Sequence, residues 1–169
     1  MLGGLLIATV ALAALSDLRE RTIPNWISVS GLLLALAVRA LPGGPELMPG
    51  LMGFGLAALV TVPMFAVGVM GGGDTKLLMA VGGFLGPLGF LAAFLYAALV
   101  GGVMAFAGAA RSGSLRALVQ RTIAFVVAAL SLGRKGIAAS VSAPGAVTLP
   151  YGVAIAVGAV AAQYLPFAL

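Results

Sequence analysis

Long apolar runs alternate with short polar segments along this chain, and their lengths predict how it folds. A helix needs roughly 20 residues to cross a hydrocarbon layer about 30 Å thick. Counted against that length, the apolar runs predict six membrane-spanning helices. The predicted spans are residues 2–19, 25–41, 51–70, 75–85, 88–110 and 151–166. We therefore predict an all-α, polytopic membrane protein in which residues 1–169 form a single integral-membrane domain.

The longest uncharged run cannot be one crossing. Between Lys76 and Arg111 lie 34 residues without a charge, which as one helix would extend about 51 Å. Gly86 and Pro87 form the strong turn signal inside this run. We expect the chain to fold back there, with a short fourth span before the turn and a fifth span after it.

Proline and glycine predict the limits of the other spans. Pro24 suits the start of the second span, because its fixed φ is helical. Pro63 should kink the third span, and the glycines of 71–73 should end it, because glycine weakens a helix. Pro166 should close the last span. The hydrophilic segment 111–148 contains an apolar stretch too short to cross, so we predict an interfacial or re-entrant helix on the cytoplasmic side.

Composition and charge narrow the chemistry and set the orientation. The chain has no Cys and no His, which excludes thiol nucleophiles, imidazole bases and Cys/His zinc sites; we expect no metal or other cofactor. The net charge of +5 reflects membrane orientation better than nucleic-acid binding. All basic residues except Arg39 fall in loops on one predicted side: Arg19, Arg21, Lys76, Arg111, Arg116, Arg121, Arg134 and Lys135. That side should be cytoplasmic, with both termini outside.

Two of the four carboxylates stand out by position. Glu20 and Glu46 lie in predicted loops and should be solvated. Asp17 and Asp74 each lie where a span meets a cytoplasmic loop, a costly place for an unpaired charge. Asp17 could instead be a helix-end residue paired with a nearby arginine, and Asp74 the N-cap of the fourth span.

The predicted topology brings these two aspartates to one depth on one face of the bundle. Two carboxylates that meet can share a proton, so that one activates water while the other polarises a peptide carbonyl. The three glycines before Asp74 remove side chains from its approach. This pattern favours an aspartic protease.

Three motifs carry a resemblance to a known family. Residues 16–25 read Ser-Asp-Leu-Arg-Glu-Arg-Thr-Ile-Pro-Asn, residues 71–77 read Gly-Gly-Gly-Asp-Thr-Lys-Leu, and residues 149–154 read Leu-Pro-Tyr-Gly-Val-Ala. In this order and spacing the chain resembles the type IV prepilin peptidases, aspartic proteases of the bacterial and archaeal cell membrane. It is most similar to their short form, which is associated with Flp-type tight-adherence pili.

The resemblance implies a function and a set of site residues. Asp17 and Asp74 would be the catalytic pair of an endopeptidase. The substrate would be a prepilin, with a short basic leader and a transmembrane helix, cut after a glycine at the cytoplasmic face of the inner membrane. Supporting or substrate-binding residues would be Gly71, Gly73, Lys76, Pro24, Asn25 and Tyr151. Because the chain lacks the cysteine-containing region of the bifunctional members, we expect no methyltransferase activity.

Alternative interpretations remain at this point for several residues and for the function. Lys76 is equally well explained as a cytoplasmic anchor, and Gly71 and Gly73 as a plain flexible turn. Tyr151 could hydrogen-bond near the site, but we favour an interfacial anchor. A small transporter or a non-catalytic component of a pilus or secretion system would also be a bundle of apolar helices. The sequence leaves the oligomeric state open.

Overall fold

The computed structural model describes residues 1–116, 119–120, 122–123, 127 and 150–165. Within those residues the secondary structure is helical, without a strand, which confirms the all-α prediction. The helices are α1 (Leu2–Glu20), α2 (Asn25–Ala40), α3 (Leu47–Ala66), α4 (Gly72–Arg111) and α5 (Tyr151–Tyr164). The helix predicted within 111–148 and the predicted closing proline, Pro166, lie largely or wholly outside the described residues.

The long helix α4 is broken where the sequence predicted a turn. Gly86 has φ 76° and ψ −176° inside α4, a conformation that glycine adopts without steric cost. A straight helix would separate residues 74 and 101 by about 40 Å. Yet the ring of Tyr151 lies against Gly101, where an added Cβ would stand 2.7 Å from Cε2, and its phenol interacts electrostatically with Asp74. The two arms of α4 therefore run in opposite directions.

Antiparallel packing of α1 and α5 gives the bundle two distinct ends. At one end Gly152 contacts Asp17; at the other, Gly3 lies against Gln163. The second of these ends also holds the turn of α4, since Leu85 lines a small cavity together with Gly3 and Gln163. We call the first the aspartate end and the second the turn end.

Small residues allow the helices of this bundle to approach closely. A Cβ on Gly53 of α3 would lie 2.6 Å from the carbonyl carbon of Gly86. One on Gly158 of α5 would lie 2.6 Å from the Ala93 carbonyl oxygen. Large apolar side chains such as Leu59 and Val103 are instead exposed on the outside of the bundle, as expected for a surface solvated by lipid.

Among the residues that the structure describes, three helices are long and apolar enough to cross a membrane: α1, α3 and α4. The helices α2 and α5 are apolar but have 16 and 14 residues, fewer than the roughly 20 needed for a full perpendicular crossing. Six crossings, and the side on which the termini lie, stay predictions.

Two predicted boundaries were wrong, both around the third span. The span was predicted at 51–70, but α3 is Leu47–Ala66, because Pro49 fits within the first helical turn, where its missing N–H costs nothing. Pro63 lies in its last turn. The helix α4 begins at Gly72 and not at residue 75, so two of the glycines predicted to break the helix instead form its first turn.

Candidate active site

Asp17 lies in the last turn of α1 and is 7% exposed. Its carboxylate oxygen Oδ2 accepts a hydrogen bond of 2.7 Å from the main-chain N–H of Gly152, at the start of α5. The helix ends three residues later, where Arg21 takes a left-handed conformation with φ 52° and its N–H donates to the Asp17 carbonyl oxygen at 2.9 Å. The turn that ends α1 thus fixes the backbone of Asp17, and α5 holds its side chain.

The short connection from α1 to α2 places Ile23 against Gly73, the residue that precedes Asp74. Ser16 Oγ donates to the Thr22 carbonyl oxygen at 2.9 Å and holds this connection against α1. Ile23 is 8% exposed, and it packs so closely that a Cβ on Gly73 would lie 3.0 Å from its Cβ. Packing against Ile23 therefore favours glycine at position 73, beyond any need for a flexible turn.

Asp74 lies in the first turn of α4, whose N-cap is Gly71. Asp74 is therefore the third residue of α4. It is not the N-cap, which was the alternative interpretation of this residue. Its half-buried carboxylate accepts a hydrogen bond from the Gly71 main chain. The buried Thr75 donates from its main-chain N–H and from Oγ1 to the Gly71 carbonyl oxygen, at 3.0 and 2.9 Å. Because a Cβ on Gly71 would stand 3.0 Å from Asp74 Oδ2, a side chain there would crowd the carboxylate.

The two aspartates meet at the aspartate end of the bundle. Asp74 lies near enough to Asp17 for the charge of one carboxylate to act on the other. The phenol of Tyr151 also interacts with Asp74, and the neighbouring residue, Gly152, binds Asp17. Residues from the end of α1 and the starts of α4 and α5 therefore form one polar cluster.

The other residues predicted for the site surround this cluster. Lys76 Nζ donates to Asn25 Oδ1 at 2.8 Å, and both side chains are exposed. Pro24 is the N-cap of α2, with φ −60° and ψ 138°. Tyr151 is half-buried, with its ring on Gly101 of α4, a position inside the bundle that favours the alternative in which it acts near the site.

The sequence did not single out Gly152, Ile23 or Thr75 as site residues. All three stood within a motif that was quoted for the family resemblance. Each is also the neighbour of a residue that was predicted for the site: Gly152 follows Tyr151, Ile23 precedes Pro24 and Thr75 follows Asp74. Their contacts come from the tertiary fold, which brings together residues 135 positions apart.

The comparison with protein families finds a match for this chain. The family model described as the type IV leader peptidase family matches residues 4–106, which include both aspartates, most of α1, the whole of α2 and α3, and the break in α4. The comparisons with curated proteins and with solved structures find no match. Because the family match covers more than half of the 169 residues, the chain belongs to the type IV leader peptidase family.

Proposed function

We propose that this protein is a membrane aspartic endopeptidase that removes the short basic leader of Flp-like type IV prepilins at the cytoplasmic face of the inner membrane. The observation that carries the proposal is that Asp17 and Asp74 lie at the same end of the bundle, where Ile23 packs against both Gly73, the residue before Asp74, and Gly152, which binds Asp17. Membership of the type IV leader peptidase family supports a leader peptidase function in general. The finer substrate assignment rests on the motifs that carry the resemblance to the Flp-associated members of the family.

The proposed reaction uses one ionised and one protonated aspartic acid. The ionised carboxylate takes a proton from water, and the water oxygen bonds to the carbon of the scissile carbonyl. The protonated carboxyl gives its proton to the carbonyl oxygen. When the tetrahedral intermediate collapses, the carboxyl that took the proton from water gives it to the leaving nitrogen and the C–N bond breaks. The other carboxylate takes a proton back from a hydroxyl of the intermediate, which becomes the carbonyl of the new acid, and the pair returns to its starting state.

The residues around the dyad have matching roles in this proposal. Gly71 and Gly73 keep side chains away from the approach to Asp74, so that an extended peptide backbone can reach it. Tyr151, beside Asp74, can donate a hydrogen bond to the substrate or to the carboxylate. Pro24, Asn25 and Lys76 fix the starts of α2 and α4 on either side of Ile23. The chemistry proposed is peptide cleavage alone, without methyl transfer.

The two alternative functions differ from the peptidase in what they require of the aspartates. A transporter would favour charged groups near mid-membrane, whereas Asp17 and Asp74 lie in the last turn of α1 and the first turn of α4. An assembly component would need the shape of these side chains but not their ability to exchange a proton. Neutral isosteric replacements therefore separate a peptidase from an assembly component.

The test is cleavage of an Flp-type prepilin, with its own leader, by purified protein in lipid vesicles. Asp17→Asn and Asp74→Asn should each lower the rate of leader removal by about 10²–10⁴-fold, because an amide keeps the shape but cannot cycle a proton. Glu20→Gln and Glu46→Gln, which neutralise the remaining carboxylates, serve as matched controls and should cleave normally. Near wild-type cleavage by either folded aspartate variant would refute the dyad.

A further inference from the structure

We propose that the N-terminus of α5, through the main-chain N–H of Gly152, is the positioning element for Asp17. The inference rests on the proposed function and adds a residue that lies outside the stretch matched by the family model, residues 4–106. Gly152 contacts the carboxylate and not the substrate, so it is a positioning residue and not a catalytic one.

The first support is the hydrogen bond itself. Gly152 N–H donates to Asp17 Oδ2 at 2.7 Å, between two buried residues. A main-chain donor cannot rotate away as a hydroxyl can, so this bond fixes the plane and direction of the carboxylate. Hydrogen bonds to an ionised acceptor are also among the stronger ones in proteins.

The second support is the charge distribution of the two helices that meet at Asp17. Asp17 is in the last turn of its own helix, where the partial negative charge of the helix end disfavours a carboxylate. Gly152 is the second residue of α5, and the N–H groups of a first helical turn lack partners within the helix. The N-terminus of α5 therefore supplies the favourable partial charge that α1 does not.

The third support is the lack of space for any side chain at position 152. A Cβ there would lie 2.9 Å from Asp17 Oδ2 and 3.0 Å from Asp17 Cβ. It would also lie 3.1 Å from Ile23 Cδ1. Glycine is thus what allows the α5 backbone to reach the aspartate, and a larger residue must push the two apart.

The sharpest test removes the N–H without adding an atom that clashes. Replacing Gly152 by glycolic acid during cell-free translation turns its amide into an ester. Misplacement of a reacting group by about 1 Å costs about 10²-fold in rate. We therefore expect kcat for prepilin cleavage to fall by about 10²-fold while KM stays unchanged, because the bond orients one carboxyl of the dyad and does not bind substrate.

A genetically simple variant tests the same point by displacement. Gly152→Ala should lower kcat at least as much as the ester does. The matched control is Gly102→Ala, because a Cβ at position 102 meets no atom within 4 Å; it should cleave like the wild type. Melting temperature in detergent is measured for each protein, and kcat is expressed per folded molecule.

The outcomes separate this proposal from the one on which it rests. If the wild type cleaves, Asp17→Asn does not, and the folded ester variant has wild-type kcat, positioning by Gly152 is refuted while the peptidase stands. A loss confined to melting temperature or to KM would refute it equally, since a purely structural contact predicts that result. If the wild type and Gly102→Ala both fail to cleave, the proposed function falls and takes the inference with it.

Discussion

Lys76 and Asn25 form a side-chain contact that ties two helix starts together at the aspartate end. The ammonium of Lys76, near the start of α4, donates to the amide oxygen of Asn25, the first residue of α2, at 2.8 Å. From the sequence, Lys76 had two interpretations, as a catalytic group or as a membrane anchor. The contact adds a third interpretation, in which the lysine fixes the position of the start of α4 relative to the start of α2, on either side of Ile23.

We expect Lys76→Met and Asn25→Ala to lower stability non-additively. Each should cost about 0.5–1.5 kcal/mol, as for an ordinary hydrogen bond, and the double variant should lose about 0.5–1 kcal/mol less than the sum. Unfolding in detergent measures this cycle, with Arg111→Met as a control for losing an exposed cation. Cleavage by Lys76→Met should stay within a few-fold of wild type. Loss of cleavage in Lys76→Met alone would instead assign the lysine a direct role.

For the individual residues of the site, the sequence was sufficient to predict some and not others. Asp17 and Asp74 were identifiable because carboxylates are rare in this chain and each stood at a predicted helix end. The partner of Asp17 was not, because a main-chain N–H has no signature in a sequence. The N-cap alternative for Asp74 failed because the helix starts earlier than glycine's low helix propensity suggests, with Gly72 and Gly73 in its first turn.

At the scale of elements, Arg39 stabilises the break in α4. Pro87 has no N–H, so the carbonyl of Gly83, four residues earlier, loses its helical donor. Arg39, in the last turn of α2, fills this gap: its Nε donates to the Gly83 oxygen at 3.1 Å and a terminal nitrogen to the Phe84 oxygen at 2.7 Å. The remaining terminal nitrogen reaches the Glu46 carbonyl oxygen at 2.8 Å, before α3. The Arg39 side chain thus links the end of α2, the start of α3 and the break in α4.

Arg39→Met should therefore destabilise the protein by about 2–4 kcal/mol. It keeps the length of the side chain but leaves two partly buried carbonyls without donors, each costing about 1–3 kcal/mol. Equilibrium unfolding in detergent checks this, with Arg19→Met, an exposed arginine at the other end of the bundle, as the control. The folded fraction should retain wild-type kcat, because Arg39 lies at the turn end. Wild-type stability would show that water or lipid satisfies these carbonyls equally well.

The break in α4 also explains why some elements were predictable. Gly86 and Pro87 act locally, one by a positive φ and the other by a missing donor, so the sequence was sufficient to place the turn. The limits of α3 depended on Pro49 being accepted inside a first turn and on the packing of α3 against α4, which local propensity does not contain. The number of spans is predictable only in part, for the same reason. The two arms of α4 follow from local signals, but α2 and α5 are short, so the number of full crossings is left to experiment.

On the scale of the whole molecule, the basic residues of the described chain are divided between the two ends. Arg19, Arg21 and Lys76 lie at the aspartate end. Arg111 follows where the second arm of α4 runs on beyond Tyr151, and Arg116 comes five residues later in the chain. Arg39 lies at the turn end, bound to the carbonyls of the broken helix. The single basic residue at the turn end therefore has a structural partner there. This division supports an orientation with the aspartate end in the cytoplasm.

Because the chain contains no cysteine, single-cysteine variants can report that orientation without background. Ser114→Cys follows α4 at the aspartate end, and Glu46→Cys lies at the turn end, as the exposed N-cap of α3. In intact spheroplasts, a membrane-impermeant maleimide should label Glu46→Cys and leave Ser114→Cys unlabelled until the membrane is opened, with the wild type unlabelled throughout. The opposite pattern would place Asp17 and Asp74 outside, where they could not meet a leader that is still in the cytoplasm.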